Sequence, residues 1–374
     1  MTEKYTALYE AHKQLGASFT DFGGWQMPLK YSSELAEHKA VRSAAGLFDL
    51  SHMGEVEVTG PDAGAFLDYA LVGKLSAVKP GRAKYSLITN NDGGIIDDLI
   101  SYRLAEDAYL VVPNAGNADT VAAELAARTE GFNVTVKNVS AETSLVAVQG
   151  PAAEAILLAL VPAGQRDAVT GMKYYAADTV TVAAGERSLD LLVARTGYTG
   201  EDGFEIYVPN DDAAALWEAL LAAGSDSGLV PAGLACRDSL RLEAGMPLYG
   251  NELTLDTDPY AAGLGPVVAL SKDGDFVGRA ALEARKEAGP ARTLVGLKGS
   301  GRRSARSSYP VLKDGNVIGE VTSGAPSPTL GYPVALAYVD AAHSAPGTLL
   351  DVDLRGKPES FTVVELPFYK REKR

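Results

Sequence analysis

The chain has 374 residues, a size that accommodates two or three domains. Its 48 acidic residues exceed its 34 basic ones, giving a net charge of −14, so phosphate backbones repel it and nucleic acid is a poor default partner. Hydrophobic residues make up 46% of the chain and charged residues 22%, which supports a packed core and argues against disorder.

The longest apolar run, Ala155 to Val161, is far short of the roughly 18 residues a membrane helix needs, so no membrane partner is expected. The start, Met1-Thr2-Glu3-Lys4-Tyr5, carries an acid at once and no apolar block follows, so neither a secretory signal nor a transit peptide is expected. The basic tail Lys370-Arg371-Glu372-Lys373-Arg374 is too short to reverse the charge balance. One cysteine, Cys236, excludes an internal disulfide and a cysteine-cluster metal site; a reducing, cytoplasmic location is the simplest expectation.

In chain order, Tyr5–Gly16 reads as a helix. Ser33–Ala45 reads as a second, with Leu35, Val41 and Ala44 near one face and Gly46 as its C-terminal cap. Gly54–Gly60 alternates as a short strand. Two strands follow, Ala83–Thr89 and Ile95–Arg103. Between them Asn90-Asn91-Asp92-Gly93-Gly94 is a strong hairpin signal, because these residues tolerate positive φ. Tyr109–Val112 is a strand, Asn117–Arg128 a helix closed near Gly131, and Phe132–Val139 another strand. Thr143–Gln149 is a strand, and Pro151 opens the helix Ala152–Leu160. Strands near Thr179–Val182, Leu189–Arg195 and Phe204–Val208 precede the helix Asp212–Ala223, whose apolar face carries Leu216, Trp217 and Leu220 and which Gly224 ends. Ala235–Ala244 is a short helix ended by Gly245, and Gly278–Ala288 another.

Beyond about residue 290 the strands Thr293–Lys298, Val317–Ser323, Val334–Val339, Leu349–Leu354 and Glu359–Leu366 follow one another without a long helix. That pattern predicts an all-β terminal domain, a small barrel or sandwich. No repeat of solenoid period is present.

Common catalytic patterns are missing. There is no phosphate-binding Walker loop, no G-x-G-x-x-G after a strand and no G-x-S-x-G elbow, and Gly263-Leu264-Gly265 reads as a tight turn. His12, His38, His52 and His343 are scattered, so a zinc site is not expected. Cys236, inside a predicted helix, reads as a buried small apolar residue.

Four clusters remain. In Gly93-Gly94-Ile95-Ile96-Asp97-Asp98-Leu99-Ile100-Ser101-Tyr102, alternation puts Asp98, Ile100 and Tyr102 on one face and Asp97, Leu99 and Ser101 on the other. Two acids in an apolar strand read either as a charge that protects a sheet edge or as a carboxylate awaiting a ligand. In the stretch from Arg195 to Tyr207, three glycines build a tight loop. Phe204 and Ile206 face the core, leaving Glu205 and Tyr207 on a solvated face or beside a cavity suited to a flat heterocycle. In Gly233–Gly245, Arg237 and Arg241 share a helix face. Arg237 lies in the first turn, where a cation opposes the dipole; it either binds a specific partner or pairs with a strand carboxylate. Val321–Gly331, dense in Gly, Pro and Ser, reads as a loop.

Together with Asp21-Phe22-Gly23-Gly24-Trp25-Gln26-Met27-Pro28 and Phe48-Asp49-Leu50-Ser51-His52-Met53-Gly54-Glu55, these clusters resemble the T-protein of the glycine cleavage system, the aminomethyltransferase family, in unbroken order from about residue 5 to 370. The resemblance implies an α+β fold: a three-domain folate-binding architecture around a central cavity, with an all-β barrel-like C-terminal domain. The domains would be a discontinuous folate-binding one over residues 1–53 and 141–276, an inserted one over 54–140 carrying the catalytic hairpin, and a barrel or jelly-roll-like one over 277–374. It implies transfer of a methylene from the aminomethyl-lipoyl arm of the H-protein to tetrahydrofolate. Ammonia, 5,10-methylenetetrahydrofolate and dihydrolipoyl H-protein are the products, with no metal, nicotinamide or flavin.

By motif, Asp98 matches the catalytic aspartate of the family and Glu205 and Arg237 its folate contacts. Met53, Tyr85, Tyr102, Asn114, Tyr175 and Tyr198 fall at positions that line its folate pocket. The ending Pro367-Phe368-Tyr369-Lys370-Arg371 also looks like that of the family. One departure stands out: many relatives carry Ser-Trp where this chain has Gly265-Pro266, which bears on one aromatic wall of the expected pocket and not on the expected reaction. Folate-binding relatives tied to iron–sulfur maintenance carry a Lys-Gly-Cys-Tyr-x-Gly-Gln-Glu motif, whereas Gly197-Tyr198-Thr199-Gly200-Glu201 stands here. An amine dehydrogenase fusion would need a flavin domain.

Overall fold

A computed structural model describes residues 3–372; Met1, Thr2, Lys373 and Arg374 of the two terminal segments lie outside the described residues. The described residues mix helices with four sheets. A six-stranded sheet runs in the order Ala177–Ala184, Arg187–Ala194, Gly203–Pro209, Thr143–Gln149, Ala45–Asp49, Leu229–Pro231, antiparallel except for the last, parallel pair. Its two central strands, Gly203–Pro209 and Thr143–Gln149, are mostly buried, and their apolar residues alternate with a few polar ones, Glu205 and Gln149 among them. Val146, Val148, Phe204 and Ile206 pack with Trp217, Leu216 and Leu220 of the helix Asn210–Gly224, all essentially without solvent exposure.

A five-stranded sheet runs Arg82–Thr89, Ile95–Ala105, Ala108–Val112, Val56–Thr59, Thr135–Asn138. The Asn90–Gly94 hairpin forms as expected: the Asn90 side-chain oxygen accepts from the N–H groups of Asp92 (3.0 Å) and Gly94 (2.8 Å), and Gly93 has φ 76°.

By internal contacts the chain divides into two compact units. One takes the chain up to Leu67, Leu75–Tyr85 and Leu99–Arg237. The other takes Asp68–Lys74, Ser86–Asp98 and the chain from Asp238 onward. In the second unit, six strands close a barrel in the order Arg292–Gly299, Pro333–Asp340, Asn316–Pro326, Pro310–Lys313, Leu349–Asp353, Pro358–Val364, filled by Leu297, Val311, Val321, Ala337, Val352 and Val363. Full closure leaves no sheet edge exposed.

Three expectations need correction. The second helix spans Glu34–Ser43, capped by the Ser33 hydroxyl, and Gly46 does not end it. Gly46 lies inside the strand Ala45–Asp49, where a Cβ would meet Val41 Cγ2 at 2.5 Å, and Leu35 is 49% exposed. Val321–Pro326 belongs to a barrel strand, whose inward residues Val321, Ser323 and Ala325 are buried. Pro310–Lys313 is a further barrel strand that its Pro start and four-residue length conceal.

Candidate functional site

The Glu205 site is built by two neighbouring strands and the loop after one of them. Glu205 lies on Gly203–Pro209, an interior strand between Arg187–Ala194 and Thr143–Gln149, where Glu205 is half-buried and Tyr207 buried rather than solvated. Alternation sends Phe204 and Ile206 into the core and Glu205 and Tyr207 to the opposite side. The Thr196 hydroxyl donates to Glu205 Oε2, and the Tyr102 hydroxyl reaches the same oxygen at 3.4 Å and Thr196 Oγ1 at 2.9 Å.

Gln149 locks the loop that carries Thr196: its Nε2 donates to the Thr196 carbonyl (3.0 Å) and its Oε1 accepts from Thr199 (2.9 Å). This close docking explains two glycines, since a Cβ at Gly197 or Gly203 would stand 2.0 or 2.5 Å from the Gln149 amide. Arg42 ties the far side of the loop through the Thr199 carbonyl (2.7 Å) and the Glu201 carboxylate (2.9 Å).

Arg237 enters from the helix Leu234–Glu243, its guanidinium carbon 4.4 Å from the Tyr198 ring centroid. Burial raises the pKa of Glu205, while Thr196, Arg237 and Tyr102 pull it back down; the balance stays above the usual carboxylate value. A small hollow of about 10 Å³ is bounded by Phe48, Leu50, Ala147, Gln149, Tyr198, Thr199, Glu205 and Arg237.

The loop after Ala45–Asp49 is held from beneath. Thr6 (2.7 Å), His12 (2.8 Å) and the Ser51 N–H (2.9 Å) all bind the Asp49 carboxylate, and the Tyr31 hydroxyl meets the other ring nitrogen of His12 at 2.8 Å. Burial alone would raise Asp49; these hydrogen bonds hold it below the usual value. His52, 2% exposed, is pushed down to about 3 by burial and by Arg237, so its imidazole is neutral at pH 7.

The other expected residues are placed as follows. Tyr175 has φ 60°, rare for a non-glycine residue, fixed by its N–H to the Arg195 carbonyl (3.0 Å) and by the Ala83 N–H to its own carbonyl (2.9 Å). Its field also acts on Tyr102. Tyr85 lies half-buried on Arg82–Thr89, Asn114 precedes the short helix Ala115–Asn117, and Met53 is half-buried in the loop beyond Asp49.

In the other unit, Asp98 is half-buried and Asp97 fully buried on Ile95–Ala105, a strand whose pairing with Ala108–Val112 begins only at Ile100. The Tyr249 hydroxyl donates to the Ile95 carbonyl (3.0 Å), and its pKa is raised by burial and by both aspartates. Arg241 does not act with Arg237. It is 1% exposed and bound to Glu252 (2.8 Å), Asp238 (2.8 Å) and Ser323 (2.8 Å), a structural pairing. Cys236 is fully buried with its thiol pKa pushed up by that burial, as an inert small residue should be.

Sequence reasoning singled out neither Thr196 nor Gln149. Thr196 stood inside the glycine-rich cluster, but a hydroxyl there carries no signal of its own. Among the described residues no three His, Cys, Asp or Glu gather as a metal-ligand set, and no helix is long and apolar enough to cross a membrane.

Residues 8–272 match the GCVT N-terminal domain family, and residues 292–370 match the glycine cleavage T-protein C-terminal barrel domain. This chain belongs to the glycine cleavage T-protein family. It is 57% identical over 374 residues to an aminomethyltransferase of Streptomyces avermitilis, covering 99% of this chain and 98% of that one. It is 56% identical over 375 residues to one of Cutibacterium acnes, covering 99% of each. A crystal structure of glycine cleavage system aminomethyltransferase T from Bartonella henselae superposes with a TM-score of 0.90 at 41% identity, covering 99% of both chains. As a T-protein family member the chain is a folate-dependent aminomethyltransferase, and the barrel at its end is the family's C-terminal domain.

Proposed function

We propose that this chain takes the aminomethyl carbon from the lipoyl arm of a glycine cleavage H-protein and passes it to tetrahydrofolate, with Asp98 as the catalytic residue and Glu205 and Arg237 holding the pterin. The carbon–sulfur bond to the lipoyl arm breaks and the thiol takes up a proton. Ammonia leaves, and both folate nitrogens bond to the carbon, giving 5,10-methylenetetrahydrofolate. Positive charge develops on the carbon as its leaving groups depart, and a fixed anion stabilises that charge. Asp98 supplies the anion and accepts the proton shed by the attacking nitrogen, a role worth about 10²–10⁴-fold.

The single observation that carries the reading is the Thr196–Tyr102–Glu205 cluster beneath the Arg237–Tyr198 stack. A carboxylate fixed by two hydroxyls accepts the paired N–H donors of a pterin ring, and the tyrosines offer flat faces beside it. Met53, Tyr85, Asn114 and Tyr175 complete the folate contacts in this reading. The test is purified full-length chain with tetrahydrofolate and aminomethylated H-protein. Ammonia and 5,10-methylenetetrahydrofolate should appear in equal amounts, and ammonia release that does not depend on folate would overturn it.

A further inference from the structure

Glu55 is 1% exposed, and no described residue hydrogen-bonds either of its carboxyl oxygens. Its backbone, by contrast, is tied on both sides, the N–H to Ser140 Oγ (2.8 Å) and the carbonyl to the Val139 N–H (2.9 Å). The next residue, Val56, pairs with Val111, which pairs with Ser101. Alternation therefore puts Glu55 on the other face of that sheet, the face that carries Ile100, Val112 and Tyr102.

On the six-stranded sheet, Tyr207 lies in the field of both Glu55 and Glu205. Its ring stands edge-on to Tyr102, centroids 5.9 Å apart, and its buried hydroxyl neighbours the Tyr102 hydroxyl without meeting it in good hydrogen-bond geometry. Two buried carboxyls thus meet opposite treatment. Glu205 has Thr196, Tyr102 and Arg237 to stabilise its anion, whereas Glu55 has no such group, and burial pushes its pKa up to about 9. The elements packed on its strand bring Tyr109, and Lys137, which is exposed and sits 3.7 Å from Glu142. Exposed Glu57 lies on its own strand and neutral His52 on its own loop, so no cation bonds to Glu55 among the described residues.

We propose that Glu55 is a positioning residue of the folate site: as an un-ionised carboxylic acid it donates, through one water, a hydrogen bond to the Tyr207 hydroxyl, and so sets the Tyr207–Tyr102 ring pair that backs Glu205. The inference rests on the reading of Glu205 as a pterin contact. Ionisation of Glu55 removes the donor and so disturbs the ring pair behind Glu205, weakening the binding of the folate.

The test uses the full-length chain and 5-formyltetrahydrofolate as a stable probe, with calorimetric affinities from pH 7 to 10. Glu55→Ala and Tyr207→Phe should each bind roughly three- to tenfold more weakly at pH 7, and Glu55→Gln, which keeps a neutral donor, should rescue most of that loss. The wild-type affinity should decline through the ionisation of Glu55, and the Glu55→Gln chain should lack that decline. An alkaline decline that persists unchanged in Glu55→Gln, or a Glu55→Ala chain that binds like wild type, overturns the inference. Infrared difference spectra of the folate-free protein read the protonation state independently: a carboxylic acid C=O band at pH 7.5 that Glu55→Gln abolishes is expected, and its absence from the wild type refutes a neutral Glu55. Failure of the probe to bind any variant, with that band present, would sink the folate reading instead.

Discussion

The guanidinium carbon of Arg237 lies 4.4 Å from the centroid of the Tyr198 ring, close enough for a flat cation to rest on an aromatic face. The same cation lowers the Glu205 carboxyl and disfavours protonation of His52. One side chain thus helps keep Glu205 anionic and His52 neutral. Lysine supplies the charge without the plane. Arg237→Lys is expected to weaken tetrahydrofolate binding about three- to tenfold, in line with ~0.5–2 kcal/mol for such a stack. Arg237→Met should cost more and move the acidic fall of binding to higher pH, because Glu205 then holds its proton longer. Calorimetric titration between pH 5 and 8 checks both, and an unmoved acidic limb in Arg237→Met would separate Arg237 from Glu205.

Gly197 is confined by the Gln149 amide at 2.0 Å from where a Cβ would sit, and Gln149 is itself 1% exposed and holds the Thr196 carbonyl. Gly197→Ala should therefore destabilise the chain by about 1–3 kcal/mol and weaken folate binding by displacing Thr196 from Glu205. Urea unfolding with a parallel affinity measurement tests this. Full stability with full affinity would show that the loop yields without cost.

How much of this arrangement the sequence announces varies from element to element. The Asn90–Gly94 turn was legible because its chemistry is local. The face shared by Glu205 and Tyr207 is legible because strand alternation needs only a correct strand. The boundary at Ser43 is not legible because Gly46 looks like a cap when only the helix is considered. Its true reason is the packing of Val41 across it, which is a tertiary contact. Arg237 and Arg241 look alike by spacing, and only the buried carboxylate of Glu252 makes one of them structural. The solvation of Glu55 and His52 had no sequence signal either, since a charged residue in a motif looks the same whether it is paired or stranded.

Glu55 and His52 give the stability of the chain opposite pH slopes. Glu55 has a folded value near 9 against about 4.5 unfolded, so the folded state keeps a proton that the unfolded chain releases, and stability falls as pH rises across that window. His52 has a folded value near 3 against about 6.5 unfolded. The unfolded chain takes up a proton first, and stability falls as pH drops from 6.5 toward 3. Each slope is at most about 1.4 kcal/mol per pH unit. Glu55→Gln should gain stability relative to wild type between pH 5 and 8, and His52→Asn should resist acid better between pH 6 and 4. Urea midpoints at pH 4.5, 6 and 8 decide it; parallel profiles for wild type and variant would contradict the assignment.

The central claim is a division of labour in which Asp98 acts on the moving carbon and Glu205 on the folate ring. It is tested most directly by measuring single-turnover transfer and tetrahydrofolate affinity side by side in Asp98→Asn. The expected result is transfer slowed by about 10²–10⁴-fold with affinity unchanged to within about threefold. Transfer at the wild-type rate, or an affinity loss that accounts for the whole defect, would contradict it.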